Sequence, residues 1–146
     1  EICEFFYELV RNEDIEVLGV EYGSHKSQQA FEALALIAHH WQNIRVCLTV
    51  RSDSVSGLTV MMKHKSSGEA PALIARESAL LISRSTYTPT IYEHIPGIAN
   101  VIADTLSRIE APGSEGKKKL PAILDNAKKI QCPPRPRSWW RALSTP

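Results

Sequence analysis

Three carboxylates, Glu32, Asp53 and Asp104, lie where an acid is either costly or useful. Glu32 interrupts an otherwise uncharged stretch from Gln28 to Trp41, in which Phe31, Leu34, Ala35, Ala38 and Trp41 recur at helical spacing. A buried acid without a partner is expensive. Glu32 therefore either faces water beside Gln28 and Gln29 or points into a site. Asp53 follows Ile44 to Val50, a short and nearly continuous apolar run expected for a strand buried on both faces. That places it at the strand's carboxyl end, where open α/β sheets gather ligands. The same Ser52, Asp53, Ser54 run also makes a good helix cap.

Asp104 belongs to the stretch from Glu93 to Arg108. A strand ends there, the chain turns at Pro96 and Gly97, and a helix restarts with apolar residues at 98, 101, 102 and 106. Asn100 and Asp104, four apart, share one side of that helix. A carboxylate beside an apolar stripe just after a strand suits a metal ligand, although spacing alone favours the exposed side of an amphipathic helix.

The elements that position these residues follow from the pattern. Residues 2–9 read as a strand, and residues 11–24 as a polar loop with a helix cap at Ser24 or Ser27. Helices are expected over 55–65 and 72–84, separated by Ser66, Ser67 and Gly68, with Arg76 and Glu77 on the wetter side of the second. Thr88 to Ile95 is the final strand, with Pro89 at its start, where a missing amide does least harm. Residues 1–108 form one domain, 109–119 a linker, and 120–146 a basic extension containing Pro and Trp. Within the extension, Leu120 to Ile130 suits a short helix, the Pro-rich run from Cys132 is extended, and Trp139 and Trp140 form an exposed aromatic pair.

The chain of 146 residues, 43% hydrophobic, suffices for one ordinary domain. It holds no membrane-spanning apolar run and opens without a signal-peptide pattern. Three scattered cysteines give neither a disulfide framework nor a zinc pattern, so an intracellular protein, cytoplasmic or nuclear and not secreted, is expected. Charge is uneven: residues 1–108 carry nine Lys/Arg against thirteen Asp/Glu, and residues 109–146 carry eight against three. The basic end suits contact with a polyanion through Lys117, Lys118, Lys119, Arg135, Arg137 and Arg141, with Trp139 and Trp140 stacking on bases. It suits equally a solubilising linker, or a tail docked on the protein's own surface.

The run HIPGIANVIADTLSR resembles the closing segment of the RNase H domain in reverse transcriptases of LTR retrotransposons, especially the gypsy class. The helix from Gln28 through Trp41 resembles that domain's first helix, and the strand ending at Asp53 is similar to the one bearing its third carboxylate. The resemblance covers roughly residues 1–108. It implies an α/β, RNase H-like fold, a mixed central sheet flanked by helices, with Glu32, Asp53 and Asp104 as the second, third and fourth metal-binding carboxylates. It further implies hydrolysis of the RNA strand of RNA–DNA hybrids. Two Mg²⁺ would activate water and stabilise the leaving oxygen, and Asn100 and Ser54 would contact substrate. The expected partners are the hybrid and an upstream reverse-transcriptase polymerase domain in a parent polyprotein; no membrane partner is expected.

Two departures qualify the expectation. The family's first carboxylate lies on an opening strand upstream of residues 2–9, and none of the acids from Glu1 to Glu21 has its context. The fold is therefore expected to lack its opening strand, to be marginal alone and to be inactive. Relatives carry a His in a loop before the last Asp, but His94 belongs to a strand end and is not given that role. The alternative is a catalytically dead module, derived from such a domain, that binds nucleic acid or protein.

Overall fold

The computed structural model describes residues 2, 4–37, 47–84, 88–110, 113 and 119–144, and gives residues 47, 48 and 88–90 as backbone alone. Its elements are β1 (Glu4–Phe5), α1 (Asn12–Leu18), α2 (His25–Ile37), β2 (Cys47–Ser52), α3 (Val55–Lys63), α4 (Glu69–Arg84), β3 (Thr88–His94), α5 (Val101–Arg108) and β4 (Lys128–Lys129). The architecture is mixed α/β. Among the described residues the strands form two parallel pairs, β1 with β4 and β2 with β3. The expected residues 38–46 of the first helix and second strand, and Lys117 and Lys118, lie outside the described residues.

The chain divides into two compact units. A small unit holds residues 1–9 and 95–132, and a helical unit holds 10–94 and 133–146. Contacts therefore assign the chain's last residues to the same unit as α1 to α4, whereas the sequence suggested a separate basic extension.

In the helical unit, α2 packs on α3 and α4, α3 packs on α4 and on β3, and α1 touches α4. The core-facing stripe of α2 is Ala30, Ala33, Leu34 and Ile37, spaced i, i+3, i+4, i+7; Ala35 points outward. Leu58, Val60 and Met61 from α3, and Ala70, Leu73, Ile74, Ala75 and Leu81 from α4, are buried with them. Each helix has an identifiable start or stop. The Ser27 amide donates to Ser24 Oγ at 3.1 Å, settling the cap of α2 on Ser24. Ser54 Oγ accepts from the Gly57 amide at 3.1 Å to cap α3, which ends at His64 with φ 49. Helix α4 begins three residues before the expected start, because Pro71 sits within its first turn, where no amide is needed.

Several sequence expectations are corrected. Residues 11–24 contain α1, with Asp14 accepting from the Arg11 amide at 3.4 Å and Gly19 closing it at φ 61. The strand over 2–9 shrinks to Glu4–Phe5, since its partner β4 is two residues long. The helix over 120–130 is a single 3-10 turn, Ala122–Leu124, followed by β4; a helix that short gains too few bonds to repay nucleation. Glu77 does not face water: it is 1% exposed, and its Oε2 accepts from the Ala142 amide at 2.8 Å.

The C-terminal residues pack into the helical unit. Arg135 makes a two-pronged pair with Asp14, Nε to Oδ1 and Nη2 to Oδ2, both at 2.9 Å and both buried. Trp140 is fully buried in the core cluster and meets Trp139 edge-on at 5.0 Å. The exposed aromatic pair is therefore corrected, because the apolar surface of Trp140 is withdrawn from water. Neither Trp140 nor Arg135 presents its side chain for contact with nucleic acid.

In the small unit, β1 pairs with β4 in the register Glu4 to Lys128 and Phe5 to Lys129, and the Ile130 amide donates to Phe5 O at 2.9 Å. Lys129 lies 4.0 Å over the Tyr7 ring. Helix α5 is amphipathic yet has no buried residue.

Candidate carboxylate site and adjoining basic groove

The β2–β3 pair sets the geometry. Strand β2 runs parallel to β3, so both carboxyl ends point the same way, with Ser52 opposite His94. Asp53 follows immediately and is exposed. Ser54 turns the chain into α3, and its amide donates to Ser52 Oγ at 3.1 Å.

Glu32 reaches this end from α2. Its Oε2 accepts a 2.7 Å hydrogen bond from Ser54 Oγ, and its Oε1 accepts from Gln28 Nε2 at 3.1 Å. Gly57 permits the approach of α2 and α3: a Cβ there would lie 3.1 Å from Ser54 Oγ and 3.4 Å from Leu36 Cδ1. The half-buried Glu32 thus resolves the choice posed by the sequence. It lies beside Gln28 and also points at the strand end that carries Asp53. Both hydrogen-bond donors recorded for Glu32 are neutral, so they hold the carboxylate without cancelling its charge.

Asp104 and Asn100 lie in the small unit. Asn100 precedes α5 and its carbonyl accepts from the Asp104 amide at 3.0 Å. Asp104 Oδ1 accepts from Arg108 Nε at 3.0 Å, an exposed i, i+4 pair. Glu32, Asp53 and Ser54 are therefore gathered in one unit, and Asp104 and Asn100 in the other.

Among the described residues no group of three His, Cys, Asp or Glu converges as a metal cage. Carboxylate oxygens are the donor type that suits Mg²⁺. That ion keeps several waters and is commonly held by one or two carboxylates plus the phosphates of its substrate. Glu32 and Asp53 would hold it.

Two features escaped the sequence reading. His94 stands opposite Ser52, next to Asp53, which brings an imidazole to the carboxylate end. No sequence signal marks this neighbour, because the register slips by one residue between Leu48 and Thr49 and is known only from the pairing. The second feature is a groove made of two adjoining cavities of about 570 and 320 Å³ that share Gln29, Ser66, Ser67 and Pro71. Lys26 lines the larger; Lys63 and Lys65 line the smaller, with Ser56 and Thr59. Ser56 Oγ lies 3.3 Å from Ser54 Oγ, so the groove begins where the carboxylate site ends. Its loop Ser66, Ser67, Gly68 leads into the first turn of α4, where Glu69 sets one carboxylate beside Lys26 in the lining of the larger cavity. Of the cations expected to contact a polyanion, Lys119, Arg137 and Arg141 are exposed.

Among the described residues no helix is long and apolar enough to cross a membrane. Comparison with protein-family models, curated proteins and solved structures returns no match.

Proposed function

We propose that this chain carries an RNase H-like domain, incomplete and inactive by itself, of the kind that hydrolyses the RNA strand of RNA–DNA hybrids with Mg²⁺ in the reverse transcriptase of an LTR retrotransposon. The observation that carries this reading is the Ser54–Glu32 hydrogen bond, which joins a helix carboxylate to the strand end bearing Asp53. Glu32 and Asp53 supply oxygen ligands. Bound Mg²⁺ would lower the pKa of a water and neutralise charge on the attacked phosphate. The lysines and hydroxyls of the groove hold the flanking backbone, which gives contacts to phosphate rather than to base edges.

The second reading is a binding module without turnover. The Asp104–Arg108 pair favours it, because a carboxylate already engaged by a guanidinium is a poorer metal ligand. One experiment separates the two. The purified chain is given a labelled RNA–DNA hybrid with Mg²⁺, alongside Asp53→Asn. Hybrid binding that weakens in the variant supports the hydrolase domain, and cleavage that disappears in it would show the chain to be active by itself. Binding without cleavage, unaffected by the variant, supports the module. Neither binding nor cleavage removes both.

A further inference from the structure

We propose that residues 133–144 are a detachable latch that sets the width of the basic groove. The latch is fastened at both ends by carboxylates on two different helices. Asp14 of α1 grips Arg135, and Glu77 of α4 accepts from the Ala142 amide. Between them Trp140 fills the core next to α4. Helix α1 leads into Leu18, Gly19 and Val20, which form one wall of the larger cavity; Glu69, Ala70 and Pro71 at the start of α4 form the other. Fastening α1 to α4 therefore fixes the two walls of the groove relative to each other.

Three observations make the latch separable from the core. Its turns are closed by its own backbone, Trp139 to Pro136, Trp140 to Arg137 and Leu143 to Trp140, so it carries its local structure with it. Asp14 keeps a second task when Arg135 leaves, accepting from the Arg11 amide at the start of α1. The dock is also imperfectly matched. Glu77 Oε1 and Trp140 Nε1 are buried without a hydrogen-bond partner, and each would regain one from water on release. A tight aromatic and ionic grip is thus offset by two unsatisfied polar atoms, which favours a reversible hold.

The groove's ligand rests on the reading in the preceding subsection, whereas the latch does not, and the test keeps them apart. The full chain is compared with Arg135→Ala and Arg135→Lys by three readouts. Trypsin cleavage after Arg137 reports release. Hydrogen exchange of the Gly19 and Ala72 amides reports the two walls. Affinity for a short RNA–DNA hybrid reports the ligand. Arg135→Ala is expected to speed tail cleavage at least about tenfold, since a buried carboxylate loses its partner. Exchange at both walls should rise, the far-ultraviolet helix signal should persist, and hybrid affinity should fall about threefold to tenfold by loss of preorganisation. Arg135→Lys should lie between. Faster cleavage with unchanged wall exchange overturns the coupling. Loss of the helix signal in both variants overturns separability, as does wild-type cleavage at the rate of a free peptide. Changed wall exchange in a chain that never binds the hybrid leaves the latch standing and removes the ligand reading alone.

Discussion

Ser54 Oγ lies 2.7 Å from Glu32 Oε2 and 3.1 Å from the Gly57 amide, so one hydroxyl caps α3 and aims a carboxylate of α2. It accepts from the amide and donates to the carboxylate, and it links elements whose contact residues are 22 positions apart. Ser54→Ala should therefore lower stability by about 0.5–2 kcal/mol through the lost cap. It should also weaken Mg²⁺ binding, because Glu32 loses its orienting donor. Urea unfolding and calorimetric Mg²⁺ titration measure the two effects separately, and unchanged Mg²⁺ affinity would show that Glu32 is not a ligand.

Gly57→Ala would ordinarily favour a helix by about 1 kcal/mol. Here the new methyl meets Ser54 Oγ at 3.1 Å, and that oxygen is tied to Glu32 and the Gly57 amide and cannot retreat. The expected outcome is a net destabilisation of about 1–3 kcal/mol, read as a lower urea midpoint. Equal or greater stability would mean that α2 and α3 part more easily than their packing implies.

Burial pushes the Tyr92 phenol above its usual value of 10.0, because the phenolate would lose water. The folded state therefore holds the proton more tightly than the unfolded chain. This contribution to stability is fully present below pH 10 and is lost as pH rises through the higher folded value. Unfolding measured from about pH 8 to about pH 11 should show stability falling at the alkaline end, and Tyr92→Phe should flatten that fall.

If Lys26, Lys63 and Lys65 neutralise phosphates, each Lys→Ala change should reduce the slope of log K against log salt by about 0.7–0.9. Trp140→Ala should leave that slope unchanged, since its ring lies inside the protein. A slope lowered by Arg137→Ala but not by the groove lysines would return the polyanion contact to the C-terminal segment.

The sequence disclosed whatever rests on local pattern. Strand β3, helix α3 and the cap at Ser54 follow from alternation, apolar spacing and a hydroxyl placed before a helix. Helix α1 was hidden because its seven residues carry three acids and bury little, although Gly19 was a visible stop signal. The fate of Trp140 and Arg135 was not legible, because their partners lie far back along the chain: Asp14 is 121 positions from Arg135. A tryptophan beside arginines reads as a stacking surface until the distant helix that covers it is known. Glu77 illustrates the converse: a charged residue in an amphipathic helix is assigned to water by default, and the backbone amide that retains it is 65 positions away.

The parallel pair β2–β3 slips by one residue between Leu48 and Thr49, passing over Thr90. Uninterrupted pairing from Leu48 and Pro89 would bring Glu93, not His94, opposite Ser52. The slip thus acts as a reading frame for the strand end: it decides whether Ser52 has an imidazole or a carboxylate across the strands, and it sets Glu93 opposite Arg51, with which it forms an ion pair. Loss or gain of one residue in β3 would recode the charge at that edge while leaving every site residue in the chain, so length in this strand is as heritable a determinant of chemistry as the acids themselves.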